Sequence, residues 1–566
     1  MRPLIALVLT VVGSCTQPTS IVAPVPAAET SALDQGWSEA DLAIFTGTPQ
    51  GSYLIPLSWF LALRRADIDA SFASDQLGRY GYLPSAAGPL PIGFVRDGTN
   101  DLPQLGMTCA ACHTGQLRAR GVTWRIQGGR ANADFQSFLV DLGTAARATQ
   151  SDPARFARFS TTVLGASART EQVATLKGAF TDWLARYDGF KTASLPNPPW
   201  GAGRLDAFGM IFNRVTGLDL NAPGNIAKAD APVRYPFIWD APRQDHTQWT
   251  GAAPNGTYLR GMARNTGEVF GVFGRFDPQP IPIHNAIYRN SVNLSGLQAL
   301  EEKVVTLRPP PWPEAVFPLD ASRVARGSTL FQGECAACHS VRPLGIVAKA
   351  WDTPVRNVGT DRRAFDNSQA NAAPRALAGT QQPPAVGETL HDPSAKLSIL
   401  ANAVIGSLLD AAVVWDPAIR RAINQDLAEG RLPFLAAEPG NSTPPAAAAN
   451  INAATKELYK TPVAAEGAAY EARVLTGIWA VGPYLHNGSV PNLTELLKPP
   501  AERMTRFAVG HQDFDSVNVG LETTPGPGRT IFVVDPSNGN GNGGHQYGTS
   551  LSEADRWAMI EYLTTL

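Results

Sequence analysis

The chain is poor in residues that bind metals or form cross-links: of 566 residues, five are cysteine, eight histidine and six methionine. So few cysteines exclude a disulfide-stapled scaffold, whatever the compartment. Charge is also sparse, with 17% charged residues and a formal net charge of −2, which leaves no basic footprint for nucleic acid and no acidic tail. The apolar run in residues 1–15 is too short to span a bilayer. Hydrophobic content of 44% is that of an ordinary globular protein, long enough for two or three domains. The 52 Gly and 46 Pro predict many loops around short helices.

Four of the five cysteines fall in one pattern used twice, Cys109-Ala110-Ala111-Cys112-His113 and Cys335-Ala336-Ala337-Cys338-His339. In C-x-x-C-H two thiols can add across the vinyl groups of a haem while the adjacent His reaches its iron. A zinc site would need four ligands close together, and these pairs lie far apart with no other Cys near. The pattern therefore predicts two covalently bound haem c groups, with Cys109, Cys112, Cys335 and Cys338 as attachment points and His113 and His339 as iron ligands.

The fifth, Cys15, ends a segment with one basic residue, an apolar run and Val12-Gly13-Ser14-Cys15. This reads as an export signal whose last residues resemble a bacterial lipobox. Covalent haem attachment is likewise done outside the bacterial cytoplasm. The expected location is the periplasm or cell envelope, as an outer-membrane lipoprotein anchored through Cys15, with secretion as the alternative.

The expected fold is mainly α, two cytochrome c-like haem domains with long irregular loops and few short strands. Residues 16–34, rich in Pro, Ala, Thr and Ser, read as a tether, 35–300 as the first haem domain, 301–321 with its proline run as a linker, and 322–566 as the second. Phe135, Phe138, Leu139 and Leu142 mark a helix, residues 150–190 continue as amphipathic helix, and Arg264–Gly274 form another. Residues 322–331 lead as a helix into the second motif, and 552–563 close the chain behind a Ser552 N-cap.

What occupies the sixth position of each iron decides its chemistry, because a filled site transfers electrons and an open one binds a substrate. The second domain offers His391, His486, His511 and His545; Met504 is weakly placed and Met559 lies inside a helix. His545, just ahead of the closing helix and flanked by Gly543-Gly544, is preferred, with His486 the rival. The first domain offers His246, His284, Met210 and Met262, none in a recognisable ligand context, while Met107 lies on the proximal side. An open distal face there is the expectation.

The segments 105–116, 477–491 and 544–548, with Asp555-Arg556-Trp557, resemble the rubber oxygenase A-type dihaem cytochromes, relatives of the bacterial dihaem peroxidases. The resemblance spans residues 40–566. It implies a bis-His second haem through His339 and His545, and a first haem held by His113 with an open face for O2. It places His486, in the Pro-Tyr-x-His-x-Gly element, beside the second haem without ligating its iron. It also puts a tryptophan between the haems, for which Trp239 is the best match and Trp200 and Trp249 the alternatives. Such enzymes add O2 across the double bonds of polyisoprene, so the implied activity is that of a haem-dependent oxidoreductase. Its expected partners are O2 or H2O2, a small or apolar organic substrate and an electron-donor cytochrome. A dihaem peroxidase would need a distal acid-base residue, for which Glu268 is the candidate, and an electron carrier would need both irons six-coordinate.

Overall fold

A computed structural model describes residues 30–280, 288–341, 350–380, 389–414 and 469–566. Cys15, His284, the 1–15 segment and all but the end of the 16–34 stretch lie outside the described residues.

The expectation of a mainly α fold with few strands is corrected: the structure is 42% helix and 15% strand, with many small sheets. Among the described residues there are nine sheets, two of three strands and seven of two. Several pairs join stretches remote in sequence, such as Val355–Arg356 with Tyr470–Glu471 and Arg204–Leu205 with Val233–Arg234. These pairings satisfy backbone N–H and C=O groups where loops run through the interior. Two-residue strands carry too few side chains to show an alternating pattern.

The first motif sits between the two larger sheets. Strand Pro103–Met107 pairs with Phe94–Gly98 and Ile55–Pro56 and ends just before the motif. Cys109–Ala111 then form a single 3-10 turn, capped by the Thr108 hydroxyl accepting from the Ala110 N–H. Strand Thr114–Ala119 follows, folding back on Val122–Gln127 through Arg120 and Gly121, at φ 47° and 78°. Positive φ at both turn residues is the hairpin geometry that matches strand twist. Gly93 touches the motif itself: a Cβ there would lie 2.0 Å from the Ala111 nitrogen.

Behind these sheets, helices Phe135–Ser151, Pro153–Leu164 and Thr170–Ser194 pack around Phe138, Phe159, Phe180 and Trp183. Cys112 lies at the edge of that core. Cys109 borders a second core, built on helices Ala207–Phe212, Tyr258–Gly271 and Leu294–Thr306. The 301–321 stretch thus begins inside a helix, and its proline run is fastened by the Trp479 Nε1–H donating to the Pro310 carbonyl at 2.9 Å.

The second motif follows helix Ala321–Glu334, which crosses the closing helix Glu553–Thr564. The crossing is close at Gly327, where a Cβ would meet the Ala558 carbonyl oxygen at 2.0 Å. Arg326–Asp555 and Arg323–Glu561 ion pairs flank it, and the Phe331 and Tyr562 rings meet within it, tilted at 54° with centres 5.3 Å apart. Ser552 caps the closing helix, accepting from the Asp555 N–H at 3.2 Å.

Candidate haem sites

In both motifs the histidine is oriented the same way. The Nδ1–H of His113 donates to the Pro236 carbonyl at 2.9 Å, and that of His339 to the Arg473 carbonyl at 2.7 Å. A carbonyl can only accept, so each bond fixes the proton on Nδ1 and the lone pair on Nε2. This outer-shell arrangement is how metal-ligating histidines are aimed. The thiols beside them are not tuned for redox exchange, since burial pushes Cys109 up to about 11, Cys112 to about 12 and Cys335 to about 12. A dithiol redox motif has the opposite shift.

Around the second motif lies a cavity of about 1200 Å³, counting its open mouth. Cys335, Cys338 and His339 line it together with His545, His486 and apolar residues including Leu475, Ile478, Leu493 and Leu497. The rings of His339 and His545 are 6.3 Å apart, centre to centre, with planes at 50°. A haem iron held between the two rings would take one nitrogen from each. His545 is fixed from three sides. Its N–H donates to the Val358 carbonyl at 2.8 Å, its φ is 49°, and the preceding Gly544 packs on Gly359, where a Cβ would come within 2.3 Å of backbone carbon. Arg503 supplies the third hold, donating to the carbonyls of His545, Gly544, Asn542, Leu496 and Lys498. Burial, with help from the charges of His339 and Arg503, lowers the His545 pKa to about 3, and its Nδ1 is buried with no hydrogen-bond partner. An imidazole that resists protonation and keeps an orphaned nitrogen fits the donor set a haem iron needs.

His486 reaches the same cavity but stacks flat on Tyr470, ring centres 4.0 Å apart at 15°, and burial lowers its pKa to about 3. Arg234 and Arg473, also on the wall, are nearly buried and lie over the Trp249 ring. Arg473 has a buried Nε without a partner.

At the first motif, burial lowers the His113 pKa to about 4. Gln50 donates to the Cys109 sulfur at 3.2 Å. Helix Tyr258–Gly271 brings Arg264 and Glu268 to this site one turn apart; both act electrostatically on Cys109. Arg264 pairs with the buried Glu301 at 2.5 Å. Glu268 accepts from the Gln248 side-chain amide and is exposed, although the protein atoms around its carboxyl push its pKa upward. Two cysteines and an aimed histidine bordered by apolar walls again fit a covalently held haem.

The other candidates are placed elsewhere. His246 pairs with Asp245 at 2.9 Å; burial opposes its charge, but the Asp245 carboxylate wins and its pKa is raised. Met210, Met262, Met107 and Met559 are core residues, whereas His391 and Met504 are exposed. His511 lies away from the cavity with a buried Nε2 lacking a partner. Trp239 is fully buried, donates to the Thr476 carbonyl at 2.7 Å and stacks on Phe237 at 4.9 Å; it does not line the second cavity, which Trp249 does. Trp200 lies in the helical core, bonded to the Ala229 carbonyl. The residues that sequence reasoning missed, Pro236, Arg473 and Arg503, act largely through backbone carbonyls, for which no motif exists.

Two C-x-x-C-H motifs, each ending in a carbonyl-anchored histidine, define a haem c redox protein. The RoxA-like, cytochrome c-like family matches residues 469–508, the segment carrying Arg473, His486 and Arg503. The Sinorhizobium fredii (strain NBRC 101917 / NGR234) protein y4iJ is 30% identical over 601 residues, covering 94% of this chain and 93% of its own. A second protein of that strain, y4iM, is 27% identical over 305 residues, covering 53% and 52%. The chain belongs to the RoxA-like cytochrome c-like family.

Proposed function

We propose that the protein is an exported dihaem c oxidoreductase with two unequal irons: an O2-activating centre at Cys109–His113 and a bis-His electron-transfer centre at Cys335–His339. The observation that carries the reading is the opposition of His339 and His545 across one cavity, 6.3 Å apart. The first site differs. Among the described residues, His246 is engaged by Asp245, and Met210 and Met262 are packed in the core. A haem held by Cys109, Cys112 and His113 would supply an open iron face for O2.

The chain's own part follows from its side chains. Pro236 holds the proton on His113 Nδ1 and so presents Nε2 to the metal. Phe208, Phe212, Val269 and Phe270, in the core that Cys109 borders, exclude water and favour a small or apolar organic substrate. On the other side Arg503 holds His545 in place, and Arg234 offers positive charge to the haem carboxylates. Residues 35–300 would carry the reacting haem and 322–566 the electron-transferring one, with Cys15 as a lipid anchor in the cell envelope.

Carbon monoxide added to the reduced holoprotein tests this reading. Half of the haem should take the ligand, and His545→Ala should extend binding to the other half. Binding to neither haem, or to both in the unaltered protein, refutes it.

A second reading, peroxide reduction with electrons from a small cytochrome, is favoured by one observation: Glu268, an exposed carboxyl, sits beside the first motif, close enough to act electrostatically on both of its cysteines. A carboxyl able to give and take a proton assists O–O cleavage, typically by 10²–10⁴-fold. Under this reading Glu268→Gln abolishes H2O2 turnover by the reduced protein; under the first, O2-dependent turnover survives the change.

A further inference from the structure

We propose that Arg473 and Phe237 form the electronic junction between the two haem sites, with Arg473 as the positioning residue. The inference rests on the dihaem reading above. It begins with the two carbonyls that aim the histidines. His113 is bonded to the Pro236 carbonyl, and the next carbonyl along that chain, of Phe237, accepts from the Arg473 guanidinium at 3.0 Å. The backbone carbonyl of the same Arg473 accepts from His339 Nδ1 at 2.7 Å. One peptide unit and one arginine therefore join the two proximal ligands by three hydrogen bonds and otherwise covalent bonds.

Packing reinforces the connection. The Arg473 guanidinium lies 4.7 Å from the centre of the Phe237 ring, and that ring faces the second cavity. Arg473 is 8% exposed and Phe237 2%, so water does not enter between them. Trp239 stacks on Phe237, ring centres 4.9 Å apart with planes at 20°, and is bonded to Thr476 instead of to either histidine's carbonyl. An electron delivered to the His339 side by a reduced small cytochrome passes through Arg473 and Phe237 to the His113 side. No bond is made or broken in the transfer.

The substitutions separate this role from a structural one, because the carbonyl holding His339 belongs to the backbone and survives any change of the Arg473 side chain. Pulse radiolysis of the oxidised holoprotein injects one electron, and its redistribution between the two haems is followed spectroscopically. In Arg473→Gln the expected result is loss of most of the redistribution rate, with the low-spin spectrum of the second haem intact. Arg473→Lys, which keeps the charge, separates loss of the hydrogen-bonded path from a shift in potential, the latter read by redox titration of both haems. Trp239→Phe should leave the rate close to that of the unaltered protein. A rate unchanged in Arg473→Gln, or slowed only in Trp239→Phe, overturns the proposal. Absence of any redistribution in the unaltered protein overturns it together with the dihaem reading, whereas a rate lost only in Arg473→Gln supports both.

Discussion

Replacing Arg503 with alanine should both destabilise the protein and release His545. The guanidinium is 3% exposed and makes hydrogen bonds to five backbone carbonyls, at 2.7–3.1 Å, drawn from two chain segments, 496–498 and 542–545. Each bond from a charged donor contributes about 1.5–3 kcal/mol, and the contributions do not add in full. Truncation strands five carbonyls in the interior, so the loss should resemble the breaking of a buried charged network, about 3–5 kcal/mol. His545 sits at φ 49°, a backbone state that a non-glycine residue keeps only when its surroundings impose it. The 542–545 loop should therefore relax, and the second haem should lose its sixth ligand. Lysine at 503 offers three donors from one point and should fall between. Urea unfolding measures the first effect, and the low-spin absorption and magnetic resonance signals of the second haem the other. If Arg503→Ala costs less than about 1 kcal/mol, the size of a single ordinary hydrogen bond, and the second haem stays low-spin, the clamp does not exist.

Two other perturbations test the frame around the sites. Asp206, 2% exposed, has its pKa raised from 3.8 to about 6 by burial. The folded state then binds a proton that the unfolded chain releases, so this residue's contribution favours folding below about pH 4 and is lost as pH rises to about 6, a change of roughly 3 kcal/mol. Asp206→Asn should remove that part of the pH dependence in urea titrations between pH 4 and 7; an identical pH profile would sink the argument. Gly327→Ala should separate the helices crossing at Ala558 and lower stability by about 1–3 kcal/mol, seen as a lower thermal midpoint; an unshifted midpoint would mean that the crossing has slack.

The two motifs stand out in the sequence because covalent haem attachment would demand a fixed local spacing, and His545, singled out just before the closing helix, lies in one cavity with His339. The helix from Phe135 and the crossing of the first and last helices of the C-terminal part follow from periodicity and capping. The fold class did not follow, since strands such as Ser394–Ala395 or Gly520–Leu521 are pairings made by tertiary contact and leave no alternating pattern. Arg473 and Arg503 were invisible for a related reason: they recognise carbonyl oxygens, which every residue carries. Trp239 stands out in the sequence for its neighbours, whereas the second cavity is lined by Phe237, two places earlier, and by Trp249.

Six arginines of the described residues, Arg130, Arg204, Arg214, Arg234, Arg473 and Arg503, are nearly buried, and most of their hydrogen bonds go to neutral carbonyls. Burial lowers the pKa of each. Of the acids buried with them, Asp206 and Glu471 have their pKa values raised to about 6, so they supply less negative charge than their number suggests. The interior thus carries an excess of positive charge, which the carboxylates of an incoming haem would relieve. A chain that missed its cofactor would be left with that charge uncompensated and two hollow sites. It would be a preferred target of proteases, and quality control would follow from the same arginines that hold the loops in place.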